Sequence, residues 1–148
     1  MNMSRIKFPE HFSRPAPCPN ARAVPLMLCP IVAGWPSPSE DYIEQTLNFH
    51  KYLVRNEMAT FCLHVSGDSM IGAGIHDGDT LVVDRSIEPA SGKIVIAAVE
   101  GELTVKRLVR KKGRILLVPE NDNYPVIDIT EHEDTVIWGV VTFAIHSL

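Results

Sequence analysis

The second half of the chain is patterned in short apolar runs that are separated by turn signals. Apolar and polar residues alternate over 61–65, and a brief apolar run follows the turn Asp77-Gly78-Asp79. Alternation of this kind is typical of β-strands with one buried face. Seven strands are predicted, at 61–65, 81–83, 93–99, 103–109, 114–118, 126–129 and 136–145. We therefore expect a compact, mostly β domain with almost no helix.

The first 38 residues differ, since they contain eight of the eleven prolines. Proline fixes φ and removes a backbone donor, which disfavours helices and interior strands. We therefore predict that residues 1–36 form a flexible, extended arm and that 37–148 form the folded domain. A short helix is expected after the arm, because Ser37 and Glu40 have the spacing of a capping box. Its apolar contacts would come from residues up to Leu53.

Composition and charge exclude several classes of protein. Hydrophobic residues make up 45% of the 148 residues, which is enough for a buried core. The net charge of -4 argues against a generic nucleic-acid binder. The basic run from Lys106 to Arg114 is interpreted as a solvated hairpin turn at Lys111-Lys112-Gly113. No apolar run of about 18 residues and no secretory signal occur, so we expect a cytoplasmic protein without membrane contact.

The cysteines do not predict a metal site or a disulfide framework. Cys18, Cys29 and Cys62 are widely spaced, and no Cys-x-x-Cys is present. The six histidines do not pair with them at the close spacings of a structural zinc site. We therefore expect reduced thiols in a cytosolic protein, with no metal and no cofactor.

A candidate nucleophile lies in Ser66-Gly67-Asp68-Ser69-Met70. Glycine next to a presented serine lets the backbone approach a substrate carbonyl and offer N–H groups to an oxyanion. A simple β-turn explains the same residues, and Ile71 replaces the second glycine of a Gly-x-Ser-x-Gly elbow. From these residues alone, both interpretations stay open.

A candidate base lies on the predicted strand 103–109. Lys106 shares one face of that strand with Thr104 and Leu108, while Arg107 points to the other face. Burial would favour the neutral form of Lys106 and make it a competent base for a serine hydroxyl. A solvated surface lysine is the alternative. A Ser-His-Asp triad built on Ser69 also stays open, because nothing in the sequence selects a histidine.

Three segments together resemble the UmuD-type proteins of the LexA/UmuD family of self-cleaving serine proteases. Residues 32–42, from Val32-Ala33-Gly34-Trp35 onward, resemble the family's cleavage site. Residues 66–79 resemble the segment of its nucleophile, and residues 101–108 resemble the strand that bears its base. The resemblance runs from about Ile31 to Ala144, and three motifs in order are highly specific.

The resemblance implies roles for individual residues. Ser69 is expected to be the nucleophile and Lys106 the base, and the bond between Ala33 and Gly34 is expected to be cut. Backbone N–H groups near Asp68 and Ser69 would form the oxyanion hole. The fold implied is the family's curled, all-β catalytic and dimerisation domain behind a proline-rich arm. The stretch before Ile31 is longer and richer in proline than is expected ahead of such a cut.

The resemblance also implies partners. A slow basal cut would be accelerated by the RecA filament on single-stranded DNA during the SOS response. The trimmed homodimer, residues 34–148, would then serve a UmuC-type Y-family polymerase (polymerase V) in translesion synthesis. No sequence-specific DNA binding is expected.

Three other functions share features with this sequence. A LexA- or phage-type repressor would need an N-terminal helix-turn-helix, which the prolines before Ala33 disfavour. A type I signal peptidase shares the serine–lysine chemistry but needs a membrane anchor. A non-enzymatic binding module with a vestigial dyad stays open, although the retained cleavage site argues against it.

Overall fold

The protein is described by a computed structural model that covers residues 23–27, 33–34 and 44–148. These residues belong to two compact units, one within Ala16–Arg55 and one that contains Asn56–Leu148. The larger unit is an antiparallel β structure, so the predicted mostly β class is confirmed. Within the described residues, no helix is both long enough and apolar enough to cross a membrane.

The smaller unit contains two short strands and one helical turn. Strand β1 (Val24–Met27) pairs antiparallel with β2 (Glu44–Leu47). Both strands of a two-stranded ribbon are edges, which explains how β1 accommodates Pro25. Helix α1 (Phe49–Leu53) follows, and the side chain of Asn48 caps it by accepting a hydrogen bond from the Lys51 N–H at 3.1 Å.

The helix predicted after Ser37 is wrong in its position. Glu44–Leu47 forms a strand, and helix begins only at Phe49. Asn48 supplies the cap, and pairing with β1 overrides helix propensity in the preceding residues. The proposed capping box at Ser37 and Glu40 lies outside the described residues.

The larger unit is built on a seven-stranded antiparallel sheet. Its strands are β3 (Thr60–His64), β4 (Thr80–Asp84), β5 (Ile94–Val99), β6 (Glu102–Lys111), β7 (Arg114–Val118), β8 (Ile127–Asp128) and β9 (Val136–Ile145). Their order across the sheet is β3-β4-β9-β5-β6-β7-β8. All seven predicted strands are therefore confirmed, with ends that differ by at most two residues.

Two tight hairpins place β6 between β5 and β7. Glu100 and Gly101 both have positive φ, at 51° and 84°, as a two-residue hairpin turn with right-handed strand twist requires. Lys112 and Gly113 repeat this pattern at 49° and 78°. Lys111, Lys112 and Gly113 are exposed, so the interpretation of these three residues as a solvated turn is confirmed.

Strand β9 is irregular at two points along its length. Its register shifts against β4 between Val82 and Val83, and against β5 between Ile96 and Ala97. Such bulges bend a strand and increase its twist. At Gly139, between these points, a Cβ would lie 2.7 Å from a Val83 methyl carbon, so only glycine permits this approach.

The core consists of two clusters. Alternate residues of β5 serve different clusters, as the period of two along a strand requires. The first contains Val95, Ala97, Leu108, Leu117, Ile129, Ile137 and Val140. The second contains Met70, Ile75, Leu81, Val83 and Ile96. The second cluster fixes the segment after β3, because Met70 is only 1% exposed.

Candidate active site

Ser69 lies in a turn that its neighbours anchor on both sides. Gly67 has a φ of 95°, and its N–H donates to Asp77 Oδ1 at 2.6 Å. Met70 follows Ser69 into the core, and the chain then forms a 3-10 turn over Ile71–Ala73. A glycine in the left-handed region and a buried methionine therefore present Ser69 between them.

Lys106 lies in the middle of β6 and is only 7% exposed. Its Nζ lies 3.0 Å from Ser69 Oγ, 2.9 Å from Thr104 Oγ1 and 3.0 Å from the carbonyl oxygen of Val105. Burial lowers the pKa of Lys106, because desolvation penalises the ammonium. Of the two alternatives for Lys106, a buried base and a solvated surface lysine, the structure shows the buried side chain. The structure thus brings together two candidate residues that are 37 positions apart in the sequence.

This contact can support nucleophilic chemistry. A nucleophile and its base need to lie within hydrogen-bonding distance, about 2.6–3.2 Å between heavy atoms. The histidines that could compete have other neighbours: His64 Nδ1 lies 3.2 Å from Thr80 Oγ1, and His76 Nδ1 lies 3.6 Å from Asp79 Oδ2. Among the described residues, the side chain that meets Ser69 Oγ is that of Lys106.

A segment that the sequence analysis missed holds the serine turn in place. We call residues 120–124, which follow β7, the clamp. The N–H of Glu120 donates to the carbonyl oxygen of Ser69 at 2.9 Å, and the Glu120 carbonyl accepts from the N–H of Gly72 at 2.8 Å. Asn121 Nδ2 donates to the carbonyl oxygen of Asp68 at 3.1 Å. The clamp therefore fixes the backbone of Asp68, Ser69 and Gly72.

Two side-chain contacts connect the clamp to other parts of the site. The Tyr124 hydroxyl donates to Asp68 Oδ1 at 2.5 Å, and this hydrogen bond to a carboxylate raises the pKa of Tyr124. Arg107 forms an ion pair with Glu120 and donates to the carbonyl oxygen of Gly92 at 2.7 Å. Strand β6 thus supplies both Lys106 and the cation that holds the clamp. The sequence signal was only a polar turn, Asn121-Asp122-Asn123.

The predicted oxyanion donors differ in their surroundings. Asp68 is held by the clamp at two oxygens, since its Oδ1 accepts from the Tyr124 hydroxyl and its carbonyl oxygen accepts from Asn121 Nδ2. In the described part of the chain, the N–H of Ser69 has no hydrogen-bond acceptor. The N–H of Ser69 is therefore available as a donor, and the role of both groups in an oxyanion hole stays a prediction.

The predicted cleavage site lies in the smaller unit. Ala33 and Gly34 form an exposed bend, and a Cβ added at Gly34 would meet no atom within 4 Å. An exposed bend is accessible to a protease, but the assignment of this bond as the one that is cut stays a prediction.

The sequence matches known proteins over most of its length. The profile of the family described as Peptidase S24-like matches residues 25–142. Protein MucA of Salmonella typhimurium is 49% identical over 127 residues, which is 85% of this chain and 84% of that protein. Protein SamA of Salmonella typhimurium strain LT2 is 48% identical over 118 residues, 80% of each chain. The LexA repressor of Paracidovorax citrulli is 39% identical over 110 residues, 74% of this chain and 49% of the repressor.

The family profile covers most of the chain, and relatives are identical to it at nearly half of the aligned residues. The antiparallel β structure is consistent with this assignment. The predicted resemblance to LexA/UmuD-type proteins is thereby confirmed. The chain belongs to the Peptidase S24-like family.

Proposed function

We propose that this protein is an autoprotease that cuts its own Ala33–Gly34 bond, with Ser69 as the nucleophile and Lys106 as a neutral general base. The observation that carries this proposal is the 3.0 Å contact between Ser69 Oγ and the Nζ of a buried lysine. Membership of a peptidase family supports it. Residues 1–36 would form the arm that carries the cut bond, and 37–148 the catalytic and dimerisation domain.

The three oxygens around Lys106 Nζ suit a neutral amine as well as an ammonium. A neutral amine has two N–H donors and one lone pair. The Val105 carbonyl can only accept and Thr104 Oγ1 can accept, so these two oxygens take the two N–H groups. The lone pair is then left for the hydroxyl proton of Ser69. The neighbours of Lys106 thus orient the amine for proton abstraction.

The proposed reaction has two stages, acylation of Ser69 and hydrolysis of the resulting ester. Lys106 Nζ takes the proton of Ser69 Oγ while this oxygen forms a bond to the carbonyl carbon of Ala33. The N–H of Ser69, with that of Asp68, would stabilise the oxyanion. Collapse of the intermediate breaks the bond to Gly34, whose nitrogen leaves with the proton from Lys106. Water then hydrolyses the ester with Lys106 as base again, which releases residues 1–33 and regenerates Ser69.

Control of the cut would depend on seating of the arm. When a scissile bond belongs to the same molecule as the nucleophile, effective concentrations can reach about 10⁵ M or more. A protein with a permanently seated arm would destroy itself. We infer that the cleavage-competent pose is rare and that the RecA filament on single-stranded DNA favours it, which shifts a population that already exists.

The trimmed homodimer, residues 34–148, would act as the accessory subunit of a UmuC-type polymerase in SOS mutagenesis. Sequence identity favours this role over that of a repressor. Protein MucA is 49% identical to this chain, and the LexA repressor is 39% identical. We therefore propose a cytoplasmic protein that does not bind DNA sequence-specifically.

The partners can be tested with purified components. We expect full-length protein to be cut faster when RecA, an ATP analogue and single-stranded DNA are all present than when any one is omitted. Residues 34–148 should co-purify with a UmuC-type polymerase. A tight, sequence-selective complex with duplex DNA would contradict this role and favour a repressor.

A further inference from the structure

A second group of chemically active side chains lies apart from Ser69 and Lys106. It consists of His76 and Asp79, which precede β4, and His146, which follows β9. Candidate ligand atoms of these three residues all lie within 4.8 Å of one another. Strands β4 and β9 are neighbours in the sheet, which is why residues 67 positions apart meet here.

Asp79 is the fixed centre of this group. Its side chain is only 1% exposed, and the N–H of His76 donates to its Oδ2 at 2.8 Å. His146 Nδ1 lies 2.6 Å from the other oxygen, Oδ1. A buried anion is thus held in place with an imidazole already in contact.

His76 contributes a polar atom without a hydrogen bond. Its Nδ1 is buried and, among the described residues, has no hydrogen-bond partner. It lies 3.6 Å from Asp79 Oδ2. The rings of His76 and His146 pack together with centroids 4.4 Å apart. A buried nitrogen without a partner is uncommon in folded proteins and calls for an explanation, for which a bound ion is one candidate.

We propose that His76, Asp79 and His146 form a binding site for a divalent cation of the zinc class. Two imidazoles and one carboxylate suit Zn²⁺ and similar transition metals, whereas Mg²⁺ and Ca²⁺ prefer oxygen ligands. Three protein ligands leave a fourth position for water. Close paired spacing in the sequence can reveal metal ligands that lie within one segment. It cannot reveal ligands at the ends of two strands that are far apart in the sequence.

Two distances between candidate ligand atoms can be compared with those around a bound zinc ion. Zinc lies about 2.0–2.2 Å from nitrogen and oxygen ligands, so ligand atoms in a tetrahedral site are about 3.3–3.6 Å apart. The distance between His76 Nδ1 and Asp79 Oδ2 already fits at 3.6 Å, while that between His146 and Asp79 must lengthen. His146 lies just after Ile145, the last paired residue of β9, so its position can adjust.

Zinc at this site would join the turn before β4 to the end of β9. The expected consequence is stabilisation of the fold, because an ion that binds only the folded state stabilises that state. Zinc takes no part in the chemistry of Ser69 and Lys106, so the proposal is independent of the self-cleavage proposed above.

The test is a zinc titration of the full chain carrying Ser69→Ala, which prevents self-cleavage, in a non-chelating buffer with the thiols kept reduced. Calorimetry should show one Zn²⁺ per chain, and the midpoint of thermal unfolding should rise with zinc. His76→Ala and His146→Ala should each weaken binding by at least ~10-fold, on the scale of 10–100-fold losses that even supporting residues cause. Both rings are partly exposed, so these variants should fold.

His132→Ala, which removes an exposed histidine elsewhere, is the matched control and should bind zinc as the parent does. The proposal would be overturned if the dissociation constant for zinc were millimolar or weaker. Unchanged affinity in either His76→Ala or His146→Ala would also overturn it, because the zinc would then be bound by other residues.

Discussion

The carbonyl oxygen of Ser69 accepts a hydrogen bond from the N–H of Glu120 at 2.9 Å, so the proposed nucleophile is held by its backbone while its side chain meets Lys106. Glu120 is in turn paired with Arg107, the residue after Lys106. The base and the clamp are therefore both attached to β6. A small shift of the clamp should move Ser69 relative to Lys106 and slow the proposed reaction.

Gly72→Ala should slow self-cleavage strongly. A Cβ at Gly72 would lie 2.6 Å from the carbonyl oxygen of Glu120, so the clamp must move to make room. Overpacking of this kind destabilises a protein by about 1–3 kcal/mol. The measurements are the rate of loss of full-length protein and the free energy of unfolding in urea.

Gly113→Ala is the matched control for Gly72→Ala. Gly113 has open space around it but a φ of 78°, so alanine there costs stability through backbone strain, on the order of 1–3 kcal/mol. We expect a similar loss of stability with cleavage retained. Equal cleavage rates in the two variants would show that the clamp does not position Ser69.

Tyr124→Phe should reduce the cleavage rate by about 5–10-fold, on the scale of one hydrogen bond worth ~1 kcal/mol. The lost bond is the one from the Tyr124 hydroxyl to Asp68, the residue before Ser69. Absorbance titration should also show a tyrosine with a pKa above its ordinary value, and this transition should be absent in Tyr124→Phe. A transition of Tyr124 at or below the ordinary value would contradict the contact.

Arg107→Ala separates the clamp from the base. The variant loses the ion pair with Glu120 but keeps Lys106, so cleavage should be slower at every pH by about 2–10-fold, while its increase with pH remains. Lys93→Ala, an exposed lysine before β5, should cleave like wild type. A loss of the pH dependence in Arg107→Ala would mean that Arg107 sets the protonation of the base.

Burial of Lys106 should appear in the pH dependence of stability. Its folded pKa is lowered, so between this value and the unfolded value of about 10.4 the unfolded chain binds more protons. The contribution of Lys106 to the free energy of unfolding therefore rises with pH across that window, and it is lowest at pH values below the folded pKa. The comparison is between the Ser69→Ala protein and the same protein with Lys106→Met added. The free energy of unfolding of the first should increase with pH relative to that of the second. A constant difference would contradict a lowered pKa.

The sequence predicted the strands well because alternation and turn residues are local signals. Glu100-Gly101 and Lys112-Gly113 show this most clearly, since positive φ at both positions follows from local chemistry. Residues 44–47 were mispredicted as helix because their partner, β1, lies about 20 residues earlier and pairing overrides local preference. The clamp could not be predicted, since its main contacts to Ser69 and Gly72 use backbone groups that no residue type reveals.

The most direct test is mass spectrometry of purified full-length protein incubated at a series of pH values from about 7 to 10, below the unperturbed lysine pKa of about 10.4. Wild type should yield two fragments, residues 1–33 and 34–148, at a rate that increases with pH. Ser69→Ala, Lys106→Ala and Gly34→Glu should stay intact throughout. Cleavage at another bond, a rate that levels off near about pH 7 as with a histidine base, or an increase that survives in Lys106→Ala would contradict a Ser69–Lys106 autoprotease.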